Sequence, residues 1–140
     1  KKLAKTKYCH PVPRLKFGLA CKSFLSSSID SSDGLSACLQ ELSISSEKKI
    51  VITKLPVEDD VRQFAKNNTL DLKNLILNGG EEFELVCTCT LKNLEKIKKI
   101  AKRFKINLYE IGFVTKGKHV CLENDGKQHK MMDVGWSHFQ

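Results

Sequence analysis

Carboxylates and small residues gather at two places in this chain, about fifty residues apart. Ser28 to Leu35 reads Ser-Ile-Asp-Ser-Ser-Asp-Gly-Leu, and Gly79 to Leu85 reads Gly-Gly-Glu-Glu-Phe-Glu-Leu. Asp30 and Asp33 lie three residues apart among hydroxyl side chains and close on Gly34, just ahead of a helical pattern. Glu81 and Glu82 follow a glycine pair and precede an apolar strand pattern. Carboxylates clustered where strands meet helices suit hard cations such as Mg²⁺, which take oxygen ligands. Each motif also has a purely structural reading. Asp33 is a competent helix N-cap, and glycines ahead of a strand are a competent turn. Neither motif, taken alone, decides between the two.

The elements that must carry these motifs can be read from periodicity. After Pro11-Val-Pro-Arg14, Leu15 to Phe24 reads as a helix, and Ser26 to Ser32 as a polar strand end around Ile29. Leu35, Cys38, Leu39 and Leu42 recur at helical spacing, which predicts a helix over 34–43 with a buried stripe. Lys49 to Thr53 is β-branched and reads as a strand stopped by Pro56. Two short helices are expected over 58–66 and 72–77, then a strand over 83–90 with Phe83, Leu85, Cys87 and Cys89 on one face. Leu94, Ile97, Ala101 and Phe104 mark a basic amphipathic helix within 91–105. Leu108–Val114 and His119–Glu123 are expected to form a hairpin around Lys116-Gly117. Interleaved strands and helices predict an α+β fold, with helices packed on one mixed β-sheet.

Composition narrows the class. The chain has 140 residues, 41% hydrophobic and 29% charged, which suits one globular domain with a real core. No apolar run approaches the ~20 residues that cross a membrane, and the basic N-terminus lacks the apolar stretch of a secretory signal. Six cysteines without any Cys-x-x-Cys pair, in a chain without a secretion signal, read as reduced core thiols of a cytoplasmic protein. The net charge of +8 permits contact with phosphate backbones. The aromatics that would interleave with basic residues and stack bases are missing, which disfavours nucleic acid. Methionine occurs only at Met131 and Met132, so the chain is expected to be a processed product or part of a longer protein. Gly112 to His119 mimics a phosphate-binding loop, but His119 stands where Ser or Thr must reach the metal, and a strand follows where a helix is required.

Read in order, five segments resemble the C-terminal half of the thiamine-monophosphate kinase family, within the superfamily of aminoimidazole-ribonucleotide synthetase. They are His10-Pro-Val-Pro-Arg14, Ile29 to Leu35, Gly79 to Leu85, Ile111-Gly112 and the closing Gly135-Trp-Ser-His-Phe139. The resemblance implies the C-terminal domain fold of the synthetase, with residues 1–14 as a basic leader or interdomain linker and 15–140 as the α+β domain. It also implies an absent N-terminal half that supplies further metal ligands, much of the ATP site and the usual homodimer contact.

The implied reaction moves the γ-phosphoryl of ATP onto thiamine monophosphate. The acceptor is a phosphate oxygen, already ionised near neutral pH because its second pKa is ~6. No catalytic side chain is therefore expected; positioning and cations carry the transfer. On the family's pattern Asp30 and Asp33 hold Mg²⁺, Ser32 contacts ATP phosphates, Glu81 contacts the acceptor, and Trp136 lies beside the thiamine ring. Ser31 replaces an aliphatic residue, and Glu82-Phe83 replaces Asp-Tyr; Glu82 and Phe83 are left out of the expected site. The isolated domain is expected to be inactive. A sibling ATP-using enzyme with another acceptor and a basic nucleic-acid-binding module are the competing readings.

Overall fold

The computed structural model describes residues 9–131. The lysines of the leader before Cys9, and the closing segment with Trp136, lie outside the described residues. Between Leu15 and Lys130 the chain forms five helices and six strands, so the α+β class holds. They fall into two compact units, residues 1–32 with 81–109, and residues 33–80 with 110–140. None of the helices described is long and apolar enough to cross a membrane.

The first unit contains α1 (Leu15–Cys21), β1 (Leu25–Ser31), β3 (Glu84–Cys89) and α5 (Leu91–Arg103). Strands β1 and β3 pair antiparallel, with Ser28 opposite Cys87, Asp30 opposite Leu85 and Ser31 opposite Glu84. A two-stranded ribbon is marginal by itself, and helices supply the missing burial. Phe17 and Cys21 from α1 meet Ile97 and Ala101 from α5, with Leu25, Leu85 and Cys89 of the ribbon packed against them. Ile97 and Ala101 are four residues apart, so one face of α5 is apolar while its lysines face water. Helix α1 ends at Cys21, shorter than the expected run to Phe24, because residues 22–24 turn to start β1.

The second unit contains α2 (Leu35–Ser46), β2 (Lys48–Ile52), α3 (Asp59–Asn67), α4 (Leu72–Asn78), β4 (Gly112–Lys116), β5 (Val120–Asn124) and β6 (Lys127–Lys130). Its four-stranded sheet has the order β4-β2-β5-β6. Strand β2 pairs antiparallel with β4 and parallel with β5. The expected hairpin between 108–114 and 119–123 is therefore absent: β2 lies between its two arms. The reason is burial. Ile50, Val51 and Ile52 are all buried, and a continuous β-branched run of this kind is a central strand that needs a partner on each edge. Gly112 makes the approach possible, because a Cβ there would collide with the Val51 carbonyl oxygen. The strands accordingly form this mixed sheet and a separate β1–β3 ribbon rather than one sheet.

The two-residue turn Asp125-Gly126, at φ 50° and 73°, closes β5 onto β6. Asp-Gly favours such turns because both central residues need positive φ. Leu35, Cys38, Leu39 and Leu42 of α2 are buried, as the stripe predicts. Glu47 ends α2 in the left-handed region and leads straight into β2, where the Ser43 hydroxyl donates to the Lys48 carbonyl at 2.6 Å.

Candidate functional site

The two carboxylate motifs, far apart in sequence, run side by side. On the first unit's side, the Glu81 N–H donates to the Ser32 carbonyl at 2.7 Å, and the Phe83 N–H to the Ser31 carbonyl at 2.9 Å. On the second unit's side, Gly34 sits at φ +96°, where a Cβ would lie 2.9 Å from the Gly79 carbonyl oxygen and 3.2 Å from that of Leu77. Gly34 thus permits a close backbone approach to the second motif. Glu81 and Phe83 both adopt positive φ, at 66° and 51°. Non-glycine residues held in such regions store strain, and that strain is concentrated at functional sites.

Each expected site residue within the described range has a definite place. Asp30 is exposed on β1, opposite Leu85. Ser32 is half-buried just beyond that strand. Glu81 is exposed in the turn ahead of β3. Asp33 opens the second unit and is also exposed. It is not the cap of α2: that position belongs to Gly34, and no side chain caps the helix. The structural reading of Asp33 as an N-cap therefore loses its support. Trp136 lies outside the described residues.

Oxygen chemistry fits Mg²⁺ here. That ion is typically held by one or two carboxylates together with substrate phosphates and water rather than by a full protein cage. Asp30 and Asp33 are the two carboxylates expected for it from the sequence. No group of three or more His, Cys, Asp or Glu side chains arranged for a metal occurs among the described residues. The remaining ligands would come from phosphates, water or other protein.

None of the six cysteines forms a disulfide, and Cys21, Cys38 and Cys121 are buried. Burial, with Cys89 and Cys21 nearby, pushes the Cys87 thiol up to about 11, so it stays protonated at neutral pH. Burial likewise raises Cys21. The Gly112–His119 look-alike is a strand followed by a bend and another strand, as its rejection requires. A cavity of about 580 Å³ is lined by Lys98, Lys102, Lys105, Asn107 and Tyr109 among others and contains no motif residue. Of its lysines, Lys102 lies in the last turn of α5, where a cation offsets the negative end of the helix dipole.

One contact escapes sequence reasoning altogether. The Arg14 guanidinium forks onto the Glu84 carboxylate, with Nε donating to Oε2 at 2.7 Å and Nη2 to Oε1 at 2.5 Å. Bonding to Glu84 raises the pKa of Arg14 further. Arg14 and Glu84 each sit in a motif segment, but nothing in their 70-residue separation announces the pair. Ser31, which stands in place of an aliphatic residue, is 2% exposed. Its hydroxyl has no hydrogen-bond partner among the described residues.

No family model matches the chain. A thiamine-monophosphate kinase from Nitrosopumilus maritimus is 45% identical over 131 residues, covering 94% of this chain and 41% of that protein. One from Pyrococcus horikoshii is 36% identical over 133 residues, covering 94% and 40%. The chain thus spans about 40% of the length of the curated relatives it matches. Among solved structures, AaThiL complexed with AMPPCP and TMP superposes at TM-score 0.78 with 29% identity, over 99% of this chain and 42% of that one. The thiamine-monophosphate kinase of Stenotrophomonas maltophilia K279a gives 0.75 with 26% identity, over 85% and 37%. Escherichia coli HypE, a hydrogenase maturation protein, shares the fold at 0.67 with 20% identity, over 85% and 39%. Over nearly its whole length, this chain is similar to a part of the thiamine-monophosphate kinases.

Proposed function

We propose that this chain is the substrate- and metal-contributing part of an enzyme that transfers the γ-phosphoryl of ATP to thiamine monophosphate, giving thiamine diphosphate and ADP. The observation that carries the reading is the backbone union of the two motifs, above all the 2.7 Å bond from the Glu81 N–H to the Ser32 carbonyl. It ties the glutamate assigned to the acceptor directly to the serine assigned to the nucleotide. The relatives named for this activity support the same reading, as does a fold neighbour complexed with AMPPCP and TMP.

Asp30 and Asp33 would hold Mg²⁺, which when bound neutralises charge on the transferring phosphoryl group. The chain's own residues do the rest. The Ser32 hydroxyl donates to a phosphate oxygen of ATP, and Glu81 orients the acceptor from a turn whose backbone is pinned on Ser31 and Ser32. Trp136 offers an indole face to the cationic thiamine ring. No side chain needs to remove a proton, because the attacking phosphate oxygen is already ionised at neutral pH. Further metal ligands and most of the nucleotide site would come from an N-terminal domain, through which the full-length enzyme forms a homodimer. ATP and a phosphorylated vitamin precursor are the solutes of a cytoplasmic enzyme.

The test is incubation of the complete gene product with ATP, Mg²⁺ and thiamine monophosphate. Thiamine diphosphate and ADP are expected in equal amounts. ATP turnover that responds to a different phosphorylated acceptor, and not to thiamine monophosphate, would assign the site to a sibling reaction.

A further inference from the structure

Strand β3 begins at Glu84, the last rung of the β1–β3 ladder. Ladder ends of a two-stranded ribbon fray readily. The turn immediately before this rung carries Glu81 and holds two non-glycine residues at positive φ, Glu81 and Phe83. A conformation of that kind persists only when its surroundings over-determine it. Two backbone bonds to Ser31 and Ser32 supply part of the restraint. The third restraint is a side chain. Arg14 occupies the N-cap position of α1, a helix anchored in the core through Phe17 and Cys21. From there it forks onto Glu84 with both oxygens engaged.

A bidentate arginine–carboxylate pair fixes orientation as well as distance. It also cancels the charge of Glu84, which would otherwise repel anionic phosphates three residues from Glu81. We propose that Arg14 is a positioning residue: by forking onto Glu84 it pins the last rung of the ribbon and holds the Glu81–Phe83 turn in the shape that offers Glu81 to the acceptor. The role rests on the phosphoryl-transfer reading above, but the mechanical part can be measured without it.

The experiment compares Arg14→Gln, Arg14→Lys, Glu84→Gln and the Arg14→Gln/Glu84→Gln double variant in the complete gene product. Amide exchange at Glu81 and Phe83 is followed beside kcat, the KM values for thiamine monophosphate and ATP, and the melting temperature. For Arg14→Gln, exchange at both amides should quicken about five-fold, the scale of a well-formed partly exposed ion pair. KM for thiamine monophosphate should rise by a similar factor, while kcat and KM for ATP change less than about two-fold. Arg14→Lys should recover only part, because an ammonium cannot fork. The double variant should be no worse than Arg14→Gln, since both act through one contact. Unchanged exchange at Glu81 and Phe83, strictly additive effects, or a lowered melting temperature with an unchanged KM would each overturn the proposal. A wild-type protein that fails to phosphorylate thiamine monophosphate would instead overturn the functional reading, and the exchange data would still judge the clamp.

Discussion

Gly34→Ala tests whether the two motifs meet as closely as described. Gly34 sits at φ +96° and ψ 158°, a region that L side chains avoid at a cost on the order of 1–3 kcal/mol. Its Cβ would meet the Gly79 carbonyl oxygen at 2.9 Å, the Leu77 carbonyl oxygen at 3.2 Å and the Asn78 carbonyl carbon at 3.3 Å. All three are backbone atoms and cannot rotate aside, so overpacking adds about 1–2 kcal/mol more. The sum is about 2–5 kcal/mol. With ~2.1 cal/mol/K per residue over 140 residues, unfolding entropy is about 0.3 kcal/mol/K, so the melting temperature should fall by roughly 7–17 °C. Gly18→Ala provides the contrast. It lies inside α1, and its Cβ would meet only Leu85 Cδ2, at an ordinary 3.8 Å. Removing a helical glycine should there raise stability by about 0.5–1 kcal/mol. Thermal melts followed by far-UV circular dichroism measure both. A Gly34→Ala variant that melts within about 2 °C of its parent would refute the close approach of the motifs.

Four further outcomes are expected. Asp33→Asn in the complete gene product should lower turnover by about 10²-fold or more through loss of the charge proposed to hold Mg²⁺, with melting unchanged because Asp33 is exposed and caps nothing; near-normal turnover would remove Asp33 from the site. Ser31→Ala should stabilise by about 0.5–1.5 kcal/mol, since it deletes a buried hydroxyl that has no partner among the described residues; denaturant titration would expose the error if stability fell. The Cys87 thiol rises from an ordinary 9.0 to about 11, so its contribution is full below pH 9 and is lost as the unfolded state alone ionises between 9 and 11; Cys87→Ala should flatten the decline of stability in that window, and an unchanged profile would contradict the shift. Trp136→Ala should weaken thiamine monophosphate binding by roughly 0.5–2 kcal/mol and leave ATP affinity alone, with Trp136→Phe recovering part; equal loss of both ligands with early melting would make the indole a core plug.

Much of the scaffold could be read from periodicity, because helices α2 and α5 and strand β2 bury regular apolar patterns. The tertiary pairing of β4 and β5 could not. Their sequences suit a hairpin, and only the need of the buried Ile50–Ile52 run for two partners separates them. A stronger local signal, Asp125-Gly126, marked the hairpin that does form. In the site, the motifs were legible as motifs, but two of their physical details were not. Asp33 had the chemistry of a cap, yet helix α2 starts one residue later on a glycine whose φ suits no other residue. The Arg14–Glu84 fork joins oppositely charged residues 70 positions apart, a pairing that no spacing rule picks out from 24 basic and 16 acidic side chains.

The central claim is that Ser32 and Glu81, joined through their backbones, present nucleotide and acceptor to one another. Phosphoryl transfer measured with the complete gene product tests it most directly, using ATP labelled at its γ-phosphate, Mg²⁺ and thiamine monophosphate. The label should appear in thiamine diphosphate, and Glu81→Gln should raise KM for thiamine monophosphate with little change in KM for ATP. Label that remains in ATP or passes only to water, with thiamine monophosphate untouched, would contradict the account.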